Sequence, residues 1–273
     1  MAETAQTTAA APPAEPDHGH GHGHAHHPNL QHHFEDLPQQ RDASTLGMWA
    51  FLATEVMFFS AVIGAYLVYR FSSPDVWGAA SRHLNVGLAT VNTVVLLTSS
   101  LAMALAVHGG ETGDRKSQVR WLLATMALGS LFLVFKGFEY YQEYEDNLIP
   151  GRYFDASKLH IPSTEEVTAL SAEERAEVAT TADTASVLTV TPPQFAERRA
   201  QMFFVFYFTM TGLHAVHMVI GLAMLAWILS LARKGVFTPA YYNPLEMAGL
   251  YWHFIDIVWV FLYPLLYLVA LHK

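Results

Sequence analysis

Cysteine is absent from the 273-residue sequence, and that absence removes disulfides, thiolate metal sites, iron–sulfur clusters and c-type haem attachment together. Charge is scarce as well. Asp, Glu, Lys and Arg make up 14% of residues, and 15 basic side chains face 24 acidic ones for a formal charge of −9. Phosphate binding needs a basic surface, so nucleic acid is excluded as a partner. The first forty or so residues contain no apolar h-region; no cleavable signal peptide is expected, and the first span must direct its own insertion. No Walker loop, nucleophile elbow or inverted pair of broken helices occurs, which leaves ATP-driven transport, hydrolysis and the common transporter folds without support.

What the chain does have is apolar mass. Hydrophobic residues are 52% of the total and the mean hydropathy is positive. They gather into five blocks, each near or above the roughly 20 residues that a bilayer core demands. The expected fold class is therefore an all-α integral membrane protein, a bundle of five transmembrane helices with spans near 46–70, 84–107, 121–144, 202–232 and 247–271. The first of these, Leu46 to Arg70, makes about 37 Å of helix, enough to cross with some tilt. Ser44 or Thr45 is placed to cap it. A short connection around Ser73, Pro74 and Asp75 leads to the second span, which is expected to stop at His108, Gly109 and Gly110.

Outside the spans, residues 1–44 are rich in Ala, Pro, Thr, Gly and His, a composition that buries too little apolar surface to offset its ordering entropy, and they read as a disordered tail. The domain proper is 45–273, with an acidic loop over 145–199 and a short capped helix within it from Ser171 to Glu177. Five spans put the termini on opposite sides of the membrane. Arg115, Lys116, Arg120, Arg233 and Lys234 mark one side against Arg70, Arg82, Arg198 and Arg199 on the other, which favours a cytoplasmic N-terminus.

Ionisable groups inside a bilayer cost several kcal/mol unless paired, hydrated or packed within a bundle, so each is a functional candidate. Glu55 stands among Phe51, Phe58 and Phe59, either as a staple to a neighbouring helix or in proton handling. His214 and His217 share a helical face near Gly212 and Gly221, and His253 and Asp256 pair similarly between Trp252 and Trp259. Facing imidazoles of this kind serve either as helix-to-helix hydrogen bonds or, all together, as a metal or haem site; four well-placed imidazoles are needed for two haems, and the hydrogen-bond reading is preferred. Lys136 and Glu139 fall near the end of the third span beside Tyr140, Tyr141 and Tyr144, where a snorkelling Lys, an i,i+3 partner and a tyrosine band predict an interfacial cluster. In the tail, His18, His20, His22, His24, His26 and His27 offer neutral imidazoles to copper, zinc or nickel, against the alternative of a solvated low-complexity segment.

The stretch GMWAFLATEVMFF (Gly47 to Phe59) resembles the helix of haem-copper oxidase subunit III that carries the family's carbodiimide-reactive glutamate, which falls on Glu55. NTVVLLTSS (Asn92 to Ser100), FKGFEYYQEY (Phe135 to Tyr144), TGLHAVHMVIG (Thr211 to Gly221) and YWHFIDIVWVFLY (Tyr251 to Tyr263) resemble its succeeding helices in order. The likeness covers about 46 to 270 and is to the five-helix bacterial form, which lacks the first two helices of seven-helix members. The long acidic loop and the His-rich tail depart from the family pattern.

The resemblance implies a non-catalytic subunit III of a proton-pumping cytochrome c oxidase, in aerobic respiratory electron transport that reduces oxygen to water. Such a subunit binds no haem or copper itself, flanks subunit I and subunit II, which hold them, supports proton uptake and binds phospholipid. It implies the bacterial inner membrane, an N-terminus in the cytoplasm, a periplasmic C-terminus, and Arg233 and Lys234 facing cytoplasmic lipid headgroups. Membership of a larger respiratory supercomplex is open. So are the equivalent subunit of a quinol oxidase, a nitric oxide reductase accessory protein and, from another class, a stand-alone membrane haem or ion-transport protein lined by Glu55, His214, His217, His253 and Asp256.

Overall fold

The computed structural model describes residues 30–72, 74–151, 154–155, 159 and 193–268. The His-rich run of the tail, the expected short helix near 171–177 and residues 269–273 lie outside these described residues. Among the described residues six α-helices follow one another: α1 (Leu37–Phe71), α2 (Pro74–His83), α3 (Val86–Glu111), α4 (Arg115–Glu145), α5 (Pro193–Lys234) and α6 (Asn243–Tyr263), the last running into a π-helical turn over Pro264–Leu268. Among the described residues five helices are long and apolar enough to cross a membrane, the fifth counted from Asn243 through Leu268; α2 is too short. Together with the relatives described below, they make the chain a multi-pass membrane protein.

The helices outrun their apolar blocks because polar caps, not the end of hydrophobicity, set their limits. Asp36 caps α1 by accepting from the Gln39 N–H at 2.8 Å, with Pro38 in the first turn. The stretch from Leu37 to Thr45, placed partly in the tail by composition, is therefore helical, and the Ser44 hydroxyl, instead of capping, donates back to the Gln40 carbonyl at 2.8 Å. Asn85 caps α3 through Leu88 N at 3.0 Å, and Asp114 caps α4 through Lys116 N at 3.0 Å. At the other ends, Asn147 (φ 56°) and Gly235 (φ 76°) take the left-handed conformation that closes α4 and α5 in Schellman turns, with Leu148 N donating to Glu143 O and Val236 N to Leu231 O. At about 1.5 Å per residue, the 42 residues of α5 make roughly 63 Å, twice a ~30 Å hydrocarbon core, so much of this helix stands outside the bilayer.

The Gly109–Gly110 pair, expected to end the second span, lies within α3. Its role is close approach: a Cβ on Gly110 would come within 2.9 Å of Leu245 and one on Gly109 within 3.0 Å of the Gln118 nitrogen. α2 occupies what looked like a bare connection. It buries Val76, Trp77 and Ala80, with the Trp77 ring edge-on to Tyr66 and Phe203.

Helix α6 is central and touches α1, α3 and α5; α3 runs along α4, and α4 packs on α5. In lipid, tails are as apolar as leucine, so association rests on close packing and polar contacts. Both appear on α6. Trp252 and Trp259 are fully buried, and their indole N–H groups donate to Ser99 Oγ (3.1 Å) and Thr93 Oγ1 (3.0 Å) of α3. The outward rows, among them Trp49, Met57 and Val68 of α1 and Val91, Val94 and Leu101 of α3, are exposed, as a lipid-facing surface requires.

Gly129 of α4 lets the Trp252 ring in: a Cβ there would sit 2.6 Å from Cη2, whereas one on Gly137, in the same helix, meets nothing within 4 Å. Gly129→Ala is expected to cost about 1–3 kcal/mol by overpacking, and Gly137→Ala to be neutral or slightly stabilising through helix propensity. Thermal unfolding of the detergent-purified protein separates the two; equal midpoints would mean that Trp252 does not depend on the gap.

Candidate functional site

A polar cluster sits in the apolar centre of the bundle. Lys136 and Glu139, one turn apart on α4, are 3% and 2% exposed, and the Lys136 ammonium donates to Glu139 Oε2 at 2.9 Å. Its other two protons find Tyr207 Oη of α5 at 3.3 Å and Tyr267 Oη of the π-turn at 2.9 Å. Both tyrosine hydroxyls donate to the remaining Glu139 oxygen, Oε1, Tyr207 at 2.9 Å and Tyr267 at closer range. All three ammonium donors and both carboxylate oxygens are satisfied, the charges cancel, and the Trp259 ring lies 5.1 Å from Nζ.

Lys136 does not snorkel to water as expected; it is buried. Lys136 lies nine residues (136 to 145) inside the end of α4, about 14 Å of helix, and tyrosines from two other elements complete its coordination without an escape to water. Tyr141 and Tyr144 do point outward, while Tyr140 turns inward to bond Thr211 Oγ1 at 2.6 Å. The π-turn carries Tyr267 to the cluster and is itself held: Tyr66 of α1 donates to the Leu265 carbonyl at 2.9 Å and Ser81 of α2 to the Leu266 carbonyl at 2.7 Å. A π-turn widens the helix and frees carbonyls from the regular ladder, and α1 and α2 supply their partners.

Glu55 makes the second intramembrane pair. Its Oε2 is 3.2 Å from His217 Nε2, while His217 Nδ1 lies 2.8 Å from the Leu213 carbonyl of its own helix. A carbonyl only accepts, so Nδ1 carries a proton, and the Nε2···Oε2 contact then shares one proton: imidazolium with carboxylate, or neutral imidazole with carboxylic acid. Either form is neutral overall. Unlike Glu139, the Glu55 side chain is 20% exposed.

The other sequence candidates are dispersed. His253 Nδ1 bonds Ser100 Oγ at 2.7 Å. Asp256, within one turn of Trp259 on the same helix, is buried with neither carboxyl oxygen in hydrogen-bond geometry, although Ser100 lies within electrostatic reach. His214 faces away from His217, edge-on to Phe132 (5.5 Å) and tilted on Trp259 (5.1 Å), and its ring nitrogens have no hydrogen-bond partner. The four residues do not converge, and among the described residues no three His, Asp or Glu side chains are grouped to hold a metal. Arg233 and Lys234 are exposed in the last turn of α5. His18, His20, His22, His24, His26 and His27 lie outside the described residues.

A sequence model of the family described as cytochrome c oxidase subunit III matches residues 32–158 and 195–271. Among curated proteins, the chain is 28% identical over 225 residues to a probable cytochrome c oxidase subunit 3 of Nocardia farcinica, covering 82% of this chain and 87% of that protein. It is 26% identical over 228 residues to cytochrome c oxidase subunit 3 of Corynebacterium diphtheriae (82% and 87%) and 26% identical over 249 residues to quinol oxidase subunit 3 of Bacillus subtilis (89% and 98%).

Removing one partner of a buried pair leaves an uncompensated charge, at a cost of about 3–5 kcal/mol. Lys136→Met and Glu139→Gln are each expected to lower stability on that scale, and the double variant by clearly less than their sum. Unfolding of the four proteins in one detergent measures the coupling; strict additivity would mean that the pair does not interact.

Proposed function

Because the chain belongs to the cytochrome c oxidase subunit III family, and is thus a subunit of a haem-copper oxidase complex, we propose that it is the non-catalytic third subunit of a proton-pumping cytochrome c oxidase of the bacterial inner membrane. It flanks subunit I and subunit II, which hold haem and copper and reduce oxygen to water, and it binds no haem or copper of its own. It binds phospholipid and sustains proton uptake by the catalytic subunit. Its N-terminus is cytoplasmic and its C-terminus periplasmic, which sets Arg233 and Lys234 at cytoplasmic headgroups.

The observation that carries the reading is how the intramembrane polar groups are used. Lys136 with Tyr207, Glu55 with His217 and His253 with Ser100 each join two helices; among the described residues none of these pairs forms a cleft in which substrate meets a catalytic group. Glu55, on α1 and partly exposed, is the candidate for contact with lipid or the catalytic subunit, and it occupies the position of the carbodiimide-reactive glutamate in the family it resembles.

The identity to the Bacillus subtilis quinol oxidase subunit matches that to the cytochrome c oxidase subunit of Corynebacterium diphtheriae, so quinol as electron donor is the second reading. Purification through this chain in mild detergent decides between them. Co-purifying subunits with haem and copper that oxidise cytochrome c, one bearing a copper-binding cysteine pair, are the expected result; quinol oxidation without that pair selects the second. Recovery of the chain alone with its own stoichiometric Soret band would overturn both.

A further inference from the structure

More than half of the histidines fall in one place. Of the 15 in the chain, eight stand between His18 and His33, and the oxidase reading gives them no task. No acidic or basic side chain interrupts the run, so imidazole is the one strong metal ligand among its side chains. Gly19, Gly21 and Gly23 alternate with the first histidines, and glycine leaves the backbone free to turn successive imidazoles toward one centre.

The structure shows how the run ends. Gln31 to Phe34 form a turn, closed by the Phe34 N–H on the Gln31 carbonyl at 3.0 Å. Two glutamines at the start of α1 brace it. Gln40, itself buried, accepts from the Gln31 N–H through Oε1 at 2.9 Å, and Gln39 accepts from the Glu35 N–H through Oε1 at 2.8 Å. His32 and His33 occupy the two central positions of this turn, both exposed, with ring centroids 3.6 Å apart. Among the described residues neither imidazole enters a hydrogen bond or an ion pair. Fixing backbone costs conformational entropy; here it holds two adjacent imidazoles in water, where they add nothing to the packing of the bundle.

We propose that His32 and His33 are the fixed half of a Zn²⁺ site, and that imidazoles of the run from His18 to His27 complete it. Neutral imidazole suits zinc, whereas Mg²⁺ and Ca²⁺ take carboxylate, carbonyl and water oxygens. Zinc bound in a structural role takes four ligands in a tetrahedron, so two fixed imidazoles need one or two more. His27 precedes His32 by five residues, a length of chain that extends up to about 17 Å, far more than separates two ligands of one ion. Ligands already in place spare the ion part of the ordering entropy, which sets this arrangement apart from a histidine tract alone. The cation ties the N-terminal run to the threshold of α1, and its binding is coupled to the ordering of that run. The site does not depend on the chain's place in an oxidase.

The full chain, tagged away from its N-terminus and purified in mild detergent without a metal column, is stripped with chelator and titrated with Zn²⁺ against a chromophoric competitor in excess Mg²⁺. The expected result is one Zn²⁺ per chain that Mg²⁺ does not displace, with a zinc K-edge absorption spectrum showing at least three imidazole nitrogens at about 2.0 Å. The His32→Ala/His33→Ala double variant is expected to weaken binding about tenfold, and replacement of all six histidines from His18 to His27 by Ser about a hundredfold, as preorganised and completing ligands are lost in turn. Affinity equal to wild type in the double variant overturns the proposal and leaves a solvated tract with incidental metal affinity. Equal affinity in the sixfold variant overturns it as well. A wild-type dissociation constant weaker than about 100 μM, or a spectrum with fewer than three imidazoles, also ends the case. If the double variant fails to accumulate, His33→Ala alone carries the same test: weaker binding than wild type is expected, and unchanged affinity overturns the site.

Discussion

The buried Lys136–Glu139 pair is the constraint around which the bundle is arranged. Two opposite charges in the apolar interior are tolerable only if they meet each other and if every remaining donor and acceptor is filled. That requirement reaches far beyond α4. It brings Tyr207 from α5 and Tyr267 from the last turn of the chain to a single carboxylate and ammonium. Tyr267 arrives only because the helix widens into a π-turn, and the π-turn is held by hydrogen bonds from Tyr66 of α1 and Ser81 of α2. One ion pair thus couples α4, α5, α6 and its extension directly, and α1 and α2 at one remove. α2, too short to span, finds its purpose there.

The same economy governs the other polar groups in the bilayer. The Glu55–His217 pair is neutral whichever atom holds the shared proton, and the indoles of Trp252 and Trp259 are matched to hydroxyls of α3. In lipid, where apolar contact alone gives little preference for one helix partner over another, such matched polar groups specify which helices meet and at what register. His214 and Asp256 are the exceptions, buried among the described residues without hydrogen-bond partners. His214 has ring contacts with Phe132 and Trp259, and Asp256 has the Ser100 side chain within electrostatic reach.

The five spans were legible in the sequence because membrane insertion depends on apolar block length, a local property. Helix ends were not, since Asp36 and Asp114 cap polar first turns that hydropathy leaves out. The short helix α2 was missed because a ten-residue amphipathic segment gives no spanning signal; the Pro74 start and the Val76, Trp77 and Ala80 spacing were its only marks. Within the site, Glu139 and its i,i+3 lysine stood out, but their depth did not. Tyr207 lies 68 residues and Tyr267 128 residues from Glu139 along the chain, and nothing local to Lys136 reveals that tyrosines will cover it. Glu55 and His217, 162 residues apart, were each singled out, yet the histidine was grouped with His214. One helical face was assumed for both, whereas residues three apart diverge by about 60°, enough to send His217 to α1 and His214 into the core.

The contrast between the two intramembrane glutamates bears on which of them can act on anything outside the chain. Glu139 is 2% exposed and saturated by an ammonium and two hydroxyls, so nothing outside the chain can reach it without displacing those partners. Glu55 has one side-chain partner and a fifth of its surface open, and it stands on α1, whose outward row is among the most exposed in the molecule. A proton can pass between Glu55 Oε2 and His217 Nε2 without change in the net charge of the pair and without a shift of either helix. If one acid of this subunit responds to lipid or to a neighbouring subunit, physical access and low reorganisation both select Glu55, and the role of Glu139 is to keep α4, α5 and the π-turn rigid behind it.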